Sequence, residues 1–305
     1  MRRESGVAAI TAVLIVAVAA SAAAMMLSQQ SAMVDQALMV SARAQGELYA
    51  QAGVDWARGV LAEDLRRSRD VDHLDEAWAR PIAALPVERA IVSGSLEDEQ
   101  GKFNLNNLVN GSNRSAADVA VFRRLLAALG LAPELADAVV DWIDGDDDLS
   151  GGGGAENAYY LSLARPYRTA NAPMVQVEEL YRVRGFDAKT VRRLRPFVTA
   201  LPGRTVLNVN TAGDALFAAL LDVDRTKAAA LQAERGGKPF ASRADFMTRI
   251  GPLGVTSLPI DVDVKSAHFL ARVQVAQDDV RLALEALVRR NDDGTTALLW
   301  RRPRY

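Results

Sequence analysis

Residues Val7 to Leu27 read VAAITAVLIVAVAASAAAMML, 21 consecutive positions without a charge, a glycine or a proline. As a helix rising ~1.5 Å per residue, this run is roughly 31 Å long, about one hydrocarbon thickness. Such a segment either stays in a bilayer or is removed during export. Arg2 and Arg3 lie ahead of it and no charge follows Leu27 until Asp35, a bias that holds the first end in the cytoplasm. One reading is a secretory signal cut at Ala22-Ala23-Ala24, a small-residue site. The other keeps the segment. Its length exceeds the ~7–15 apolar residues of a signal core, and no proline interrupts Ser28 to Arg67. Leu38, Ala42, Tyr49, Ala52, Trp56 and Val60 fall at helical spacings. The expectation is one long helix, apolar first and amphipathic later. Gly46, Gly53 and Gly59 each cost about 1 kcal/mol of helix propensity and mark places for a bend.

The short basic leader ends in Ser5-Gly6. This arrangement resembles the prepilin class of signal, cut after the glycine on the cytoplasmic face so that the apolar helix remains. The resemblance implies a prepilin peptidase as partner, processing between Gly6 and Val7, and an N-methylated Val7. Most members of that class carry glutamate at the fifth mature residue; here it is Thr11. An ionised carboxylate in hydrocarbon is tolerated only when paired, in pilins with the ammonium of a neighbouring subunit. A subunit lacking it has no such pair to offer a subunit ahead of it, which implies a place at the tip.

The chain contains no cysteine, which excludes disulfides, thiolate metal sites and a cysteine nucleophile. His73 and His268 are its two histidines, in unrelated contexts, so a secreted hydrolase with a His-based triad is disfavoured. A formal charge of −2 argues against bulk electrostatic binding of nucleic acid.

Beyond the long helix, Asp70–Leu85 reads as a polar connector broken by Pro81 and followed by Pro86. Alternation over Val87–Asn106, around Glu99-Gln100-Gly101, predicts a hairpin. From Ala116 the period becomes helical, with segments at Val121–Leu129, Leu135–Ile143, Val177–Val183, Ala188–Val198, Ala212–Leu221, Thr226–Ala233 and Ser242–Ile250. Period two returns at His268: Phe269, Ala271, Val273, Val275, then Val280, Leu282, Leu284, Ala286, Val288, then Thr296, Leu298, Trp300. That is a three-strand meander with one apolar face. The fold expected is α+β: a long helix on an antiparallel sheet, with an all-helical block inserted between strands. The corresponding divisions are a leader (1–6), a membrane segment (7–27), a first sheet part (28–111), the insertion (112–266) and a second sheet part (267–305).

Asp141-Trp142-Ile143-Asp144-Gly145-Asp146-Asp147-Asp148 precedes Gly151–Gly154 and Ala155-Glu156-Asn157. Five aspartates in eight positions repel one another unless solvated or neutralised. The D-x-D-x-D spacing of Asp144, Asp146 and Asp148, with flexible glycines and a later carboxylate, suits a Ca²⁺ loop built from oxygen ligands, and suits Mg²⁺ less. Asp141, one helical turn earlier, and Glu156 and Asn157 complete the candidate set. The twelve-residue EF-hand pattern is not met. The alternative is a solvated acidic turn.

Leu207-Asn208-Val209-Asn210-Thr211-Ala212 opens a helix with Thr211 as its expected N-cap. This stretch, with Glu179–Phe186 as an earlier half-copy, is similar to the helix-hairpin-helix modules of competence DNA-binding proteins. The alternative function is therefore a membrane-anchored DNA-binding protein. Where those modules carry glycines, this turn reads Leu221-Asp222-Val223-Asp224-Arg225, and aspartates repel phosphate. A helical packing module, with no nucleic acid, is the preferred reading.

Taken in order, the glycine-ended leader, Thr11, Gly101-Lys102-Phe103-Asn104-Leu105-Asn106, the Asp-Trp-Ile-Asp loop with Gly154-Ala155-Glu156-Asn157-x-Tyr159, and Leu207–Ala212 resemble the minor pseudopilin K family of the type II secretion system. The resemblance implies a pilin-like fold with a helical insertion, calcium in that insertion, and no catalysis. It implies a tip position with minor pseudopilins I and J, beside other pseudopilins and the inner-membrane assembly platform. The long glycine run departs from the family pattern and leaves the last ligands unaligned.

Overall fold

The computed structural model describes residues 4–304 except 69 and 112, with side chains from Ile10 onward. Gly6 and Val7 lie outside the residues whose side chains are described. Helix α1 runs unbroken from Glu4 to Arg67, and is long and apolar enough at its start to cross a membrane. Ile10 through Val40 carry their large apolar side chains exposed. From Ala42 one stripe turns inward: Ala42, Gly46, Ala50, Val54, Ala57, Leu61 and Asp64 are buried. The expected face overlaps this one only in part: Ala42 is buried and Tyr49 and Val60 pack at its edge, but the other three positions point away. Leu38 and Trp56 are 60% and 55% exposed, and Ala52 is exposed too. The true seam is made of small residues, which a search for large apolar ones misses. Gly46 and Gly53 belong to it: a Cβ there would meet Leu282 Cδ1 and Val273 Cγ1, each at 2.7 Å. They bring helix and sheet close together.

The sheet under α1 has the order β1 (Ile82–Val87), β2 (Ala90–Asp98), β9 (His268–Gln277), β10 (Val280–Arg290), β11 (Thr296–Pro303), every neighbour antiparallel. The meander sits as expected. The first hairpin does not: β1 pairs with β2 around Glu88-Arg89, with Glu88 at φ 50°, so part of the expected connector is a strand. Pro86 is compatible with this because β1 is an edge strand. Trp300 is a second correction. A bulge sets Leu287 opposite Trp300 and Val288 opposite Leu298, so Leu298 and Thr296, whose hydroxyl accepts from Arg58 of α1, stay on the α1 face and Trp300 leaves it. An inserted residue reverses every side chain beyond it.

Apart from a 3-10 turn at Ala77–Ala79 ahead of β1, the remaining elements lie between β2 and β9. In chain order come β3 (Phe103–Asn104), β4 (Val109–Asn110), β5 (Asn113–Arg114), α2 (Ala116–Ala128), α3 (Leu135–Ile143), α4 (Asn157–Leu161), α5 (Ala188–Leu194), β6 (Val198–Thr199), β7 (Leu207–Asn208), α6 (Asp214–Leu221), α7 (Arg225–Gly237), α8 (Arg243–Ile250) and β8 (Val262–Asp263). The segment expected as a helix at Val177–Val183 is a 3-10 turn over Val177–Arg182. Short parallel pairs β3–β6 and β7–β8 close the block. Its core is separate from that under α1 and takes in Phe103, Leu105, Leu108 and Val109.

The asparagines of the two signature stretches act as buried staples. Asn106 donates to Met174 and Leu201 carbonyls at 2.9 Å each and accepts from Met174 N at 2.8 Å. Asn210 exchanges the same pair of bonds with Phe240. Thr211 is not the cap of α6, a position held by Gly213; its hydroxyl donates to Asp98 instead. In the α6–α7 turn, Asp222 takes the left-handed conformation and Asp224 caps α7 through Lys227 N, so both aspartates have structural work there.

Candidate metal centre

Helix α3 is amphipathic and largely buried, and its last turn points Asp141 inward. Asp144 caps it in extended conformation, which starts the acidic loop. The loop returns along α3 through the glycine run. A Cβ on Gly151 would come within 2.6 Å of Asp137 Oδ2, on Gly153 within 2.2 Å of Glu134 O, and on Gly154 within 2.2 Å of Asp141 Oδ2. Three of the four glycines are thus required for a loop laid flat on the helix that carries the first acid.

This return leaves Asp141, Asp144 and Glu156 as buried acids near enough to feel one another's charge, 0%, 5% and 4% exposed, though no choice of one oxygen from each brings all three within 4.8 Å of one another. Asp141 Oδ1 accepts from Ser150 N at 2.9 Å. Asp141 Oδ2, Asp144 Oδ1 and both oxygens of Glu156 have no hydrogen-bond partner among the described residues. Burial first, then the Asp146 and Asp141 charges, push Asp144 up to about 6. Burial first, then the charges of Asp141 and Asp144, push Glu156 up to about 8. Asp141 is raised by burial as well.

Buried carboxylate oxygens without donors cost several kcal/mol unless something positive meets them. Oxygen-only donors, uncompensated and partly enclosed by a glycine-rich turn, fit a hard divalent cation. Asp141, Asp144 and Glu156 would hold it, and its charge would offset their mutual repulsion.

The other candidates stand differently. Asp146 and Asp148 are exposed, and Asp146 Oδ1 accepts from Asp148 N at 2.9 Å. The Asn157 amide is engaged on both sides: its nitrogen donates to Asp147 Oδ1 at 2.8 Å and its oxygen accepts from Thr169 N and Oγ1 at 3.2 Å. Asn157 tethers the loop. Thr11 lies on an exposed stretch of α1.

Several contributors were invisible in the residue pattern. Arg184 donates to Gly154 O at 2.7 Å and lies 4.9 Å over the Tyr159 ring. Arg114 donates to Ser150 O at 2.7 Å. Buried Asp137 pairs with Arg123 at 2.5 Å. Only its spacing, four residues before Asp141 on α3, hinted at a place near the loop.

A second acidic group, Asp64, Asp72 and Glu76, has oxygens within 4.8 Å of one another. It already holds a cation: Arg290 reaches Asp64 at 2.9 Å and Asp72 at 2.5 Å. Beside it, fully buried Asp98 accepts from Asn208, Ser266 and Thr211 through Oδ2 and from Gln100 N through Oδ1. Gln100 Oε1 accepts from Ala267 N at 2.7 Å and His268 N at 3.2 Å. This polar neck joins the two crossings between sheet and helical block.

Comparison with known proteins accords with this architecture. Two family models described as Type II secretion system (T2SS), protein K match residues 101–203 and 207–265. The Type II secretion system protein K of Pseudomonas aeruginosa is 37% identical across 99% of this chain and 93% of that protein. The protein of the same name from Aeromonas hydrophila is 33% identical, across 98% and 97%. In the crystal structure of the GspK-GspI-GspJ complex from the enterotoxigenic Escherichia coli type 2 secretion system, one chain shares the fold at a TM-score of 0.76 and 24% identity, covering 86% of this chain and 97% of that one. Matches that run the length of the chain, through helix, sheet and inserted block alike, leave one conclusion: the chain belongs to the type II secretion system protein K family.

Proposed function

We propose that this chain is the minor pseudopilin at the tip of a type II secretion pseudopilus, where it primes assembly for export of folded proteins across the outer membrane. The observation that carries the reading is α1: one 64-residue helix is apolar at its start and is the packing spine of the sheet at its end. Anchor and head are therefore mechanically one body. The first segment spans the inner membrane, the N-terminus is cytoplasmic and the head periplasmic. Prepilin peptidase removes residues 1–6, and Val7 is methylated. Thr11 offers no carboxylate to a subunit ahead, which suits the leading position. Minor pseudopilins I and J follow, then other pseudopilins supplied through the inner-membrane assembly platform. The role is mechanical, without catalysis.

Calcium is proposed as the occupant of the acidic loop, held by Asp141, Asp144 and Glu156, with Asp146 and Asp148 closing on it from the exposed side. The donor set supports this: buried, oxygen-only and uncompensated. Its role is structural.

Intact-mass measurement of the mature protein tests the anchor, and co-purification with the I and J subunits tests the assembly. Loss of residues 1–6 with a methylated Val7, and a stable ternary complex, are expected. A polypeptide starting near Met25 would overturn the reading.

A further inference from the structure

We propose that Arg184 and Arg114 are positioning residues for the acidic loop, each tying one loop carbonyl to helix α3 so that the loop is curved around Asp141 before a cation arrives; the proposal rests on calcium being the loop's occupant. Both tethers are referenced to the same helix. On one side, Gly185, at φ 84°, sits so close to α3 that a Cβ would lie 2.6 Å from Leu135 Cδ2. This fixes the turn that carries Arg184. Arg184 N donates to Tyr160 Oη at 3.1 Å, and its guanidinium donates to Gly154 O at 2.7 Å. Gly154 in turn packs on Asp141. The path leaves α3 at Leu135 and returns to α3 at Asp141.

On the other side, Arg114 lies 3.6 Å from Asp137 of α3 and donates to Ser150 O at 2.7 Å. Ser150 N then donates to Asp141 Oδ1 at 2.9 Å. This second path also begins and ends on α3. Between them they fix both flanks of the glycine run, the most flexible backbone in the loop.

Charge alone makes the opposite prediction. A guanidinium beside a cation site repels the cation, so removing it would tighten calcium binding. A tether works the other way. Without it the glycine run gains conformations that binding must then remove, and affinity falls. Loss of a supporting partner outside the ligand set usually costs about 10–100-fold in metal affinity. The sign of the change therefore separates positioning from simple electrostatics.

The test uses the full-length protein in detergent. Calcium chloride is titrated calorimetrically, and amide exchange over residues 150–156 is followed in EDTA. Arg184→Ala is expected to weaken calcium binding about tenfold or more and to speed loop exchange in the metal-free protein. Arg184→Lys, which keeps a donor, recovers most of the loss. Arg114→Ala moves both readouts in the same direction without touching the first tether. Unchanged or tighter calcium binding in both alanine variants, or unchanged exchange, overturns the positioning role. A parent protein that takes up no calcium overturns the calcium reading and this proposal with it, and shows itself before any variant is compared.

Discussion

Gly53 of α1 faces Val273 of β9 so closely that a Cβ on the glycine would lie 2.7 Å from the valine Cγ1. The spine of this protein is held to its sheet by the absence of a side chain. Six residues along, Gly59 has nothing within 4 Å of its notional Cβ. Gly53→Leu is expected to destabilise the head by about 1–3 kcal/mol through overpacking. Gly59→Ala is expected to stabilise it by about 0.5–1 kcal/mol through helix propensity. Chemical denaturation followed by tryptophan fluorescence checks both. Equal effects would show that α1 does not pack on the sheet through these glycines.

Arg290 is nearly buried between Asp64 and Asp72. Arg290→Met strands two acids, and breaking a buried pair from one side costs about 3–5 kcal/mol. Adding Asp72→Leu is expected to restore part of that loss. If the double variant is no more stable than the single, the pair is not the reason for the cost.

The neck holds two groups whose pH dependences oppose each other. Burial pushes Asp98 up to about 6. Its protonated form is favoured in the folded state, so its contribution is full below the unfolded value near 3.8 and is lost as pH rises through 6. Burial, then Arg289, pushes His268 down to about 4. The neutral ring is favoured on folding, so its contribution is full above 6.5 and is lost as pH falls through 4. Across pH 4–6 the two slopes partly cancel, each limited to about 1.4 kcal/mol per pH unit. Relative to the parent, Asp98→Asn is expected to tilt the stability–pH curve upward across this range, and His268→Gln to tilt it downward. Parallel curves for the two variants would refute the assignment.

In the acidic loop, Asp144→Asn with Glu156→Gln replaces two carboxyls whose charged forms burial disfavours. The melting temperature in EDTA is expected to rise. The gain on adding calcium, about 2.7 kcal/mol at a hundredfold excess over the dissociation constant for the parent, is expected to vanish. A parent melt insensitive to calcium removes the metal from the account.

Thr11→Glu is expected to leave membrane insertion intact and to disturb the leading position, because the variant regains a carboxylate for a subunit ahead. Site-specific cross-linking to neighbouring subunits measures this. Unaltered neighbours would count against the role given to Thr11.

Much of the fold was legible because its signals are periodic. The apolar run, the three-strand meander and α3, whose expected limits Leu135–Ile143 are those observed, all repeat a pattern over many residues. Failures came where structure depends on contacts distant in sequence. The helix seam at Gly46, Ala50 and Gly53 is written in small residues that carry no hydrophobic signal. A count by twos puts Trp300 on the wrong face, because a single bulge near Leu299 is invisible to it. The acidic loop announced itself through charge density, yet only the chain path sorts buried Asp144 and Glu156 from exposed Asp146 and Asp148. Arg184 lies 30 residues from the carbonyl it holds, beyond any local pattern.

Asp98 and Phe269 are cross-strand partners on one rung of the sheet, so the chain leaves for its helical excursion and re-enters at the same height. Geometrically the whole block replaces a hairpin loop. The strands therefore do not read its length, but they do read its footing: buried Asp98 takes donors from Asn208 and Thr211 of the block, and Arg302 of β11 reaches Gln176. Any shorter bridge across that rung would have to bring its own donors to the carboxylate at the end of β2.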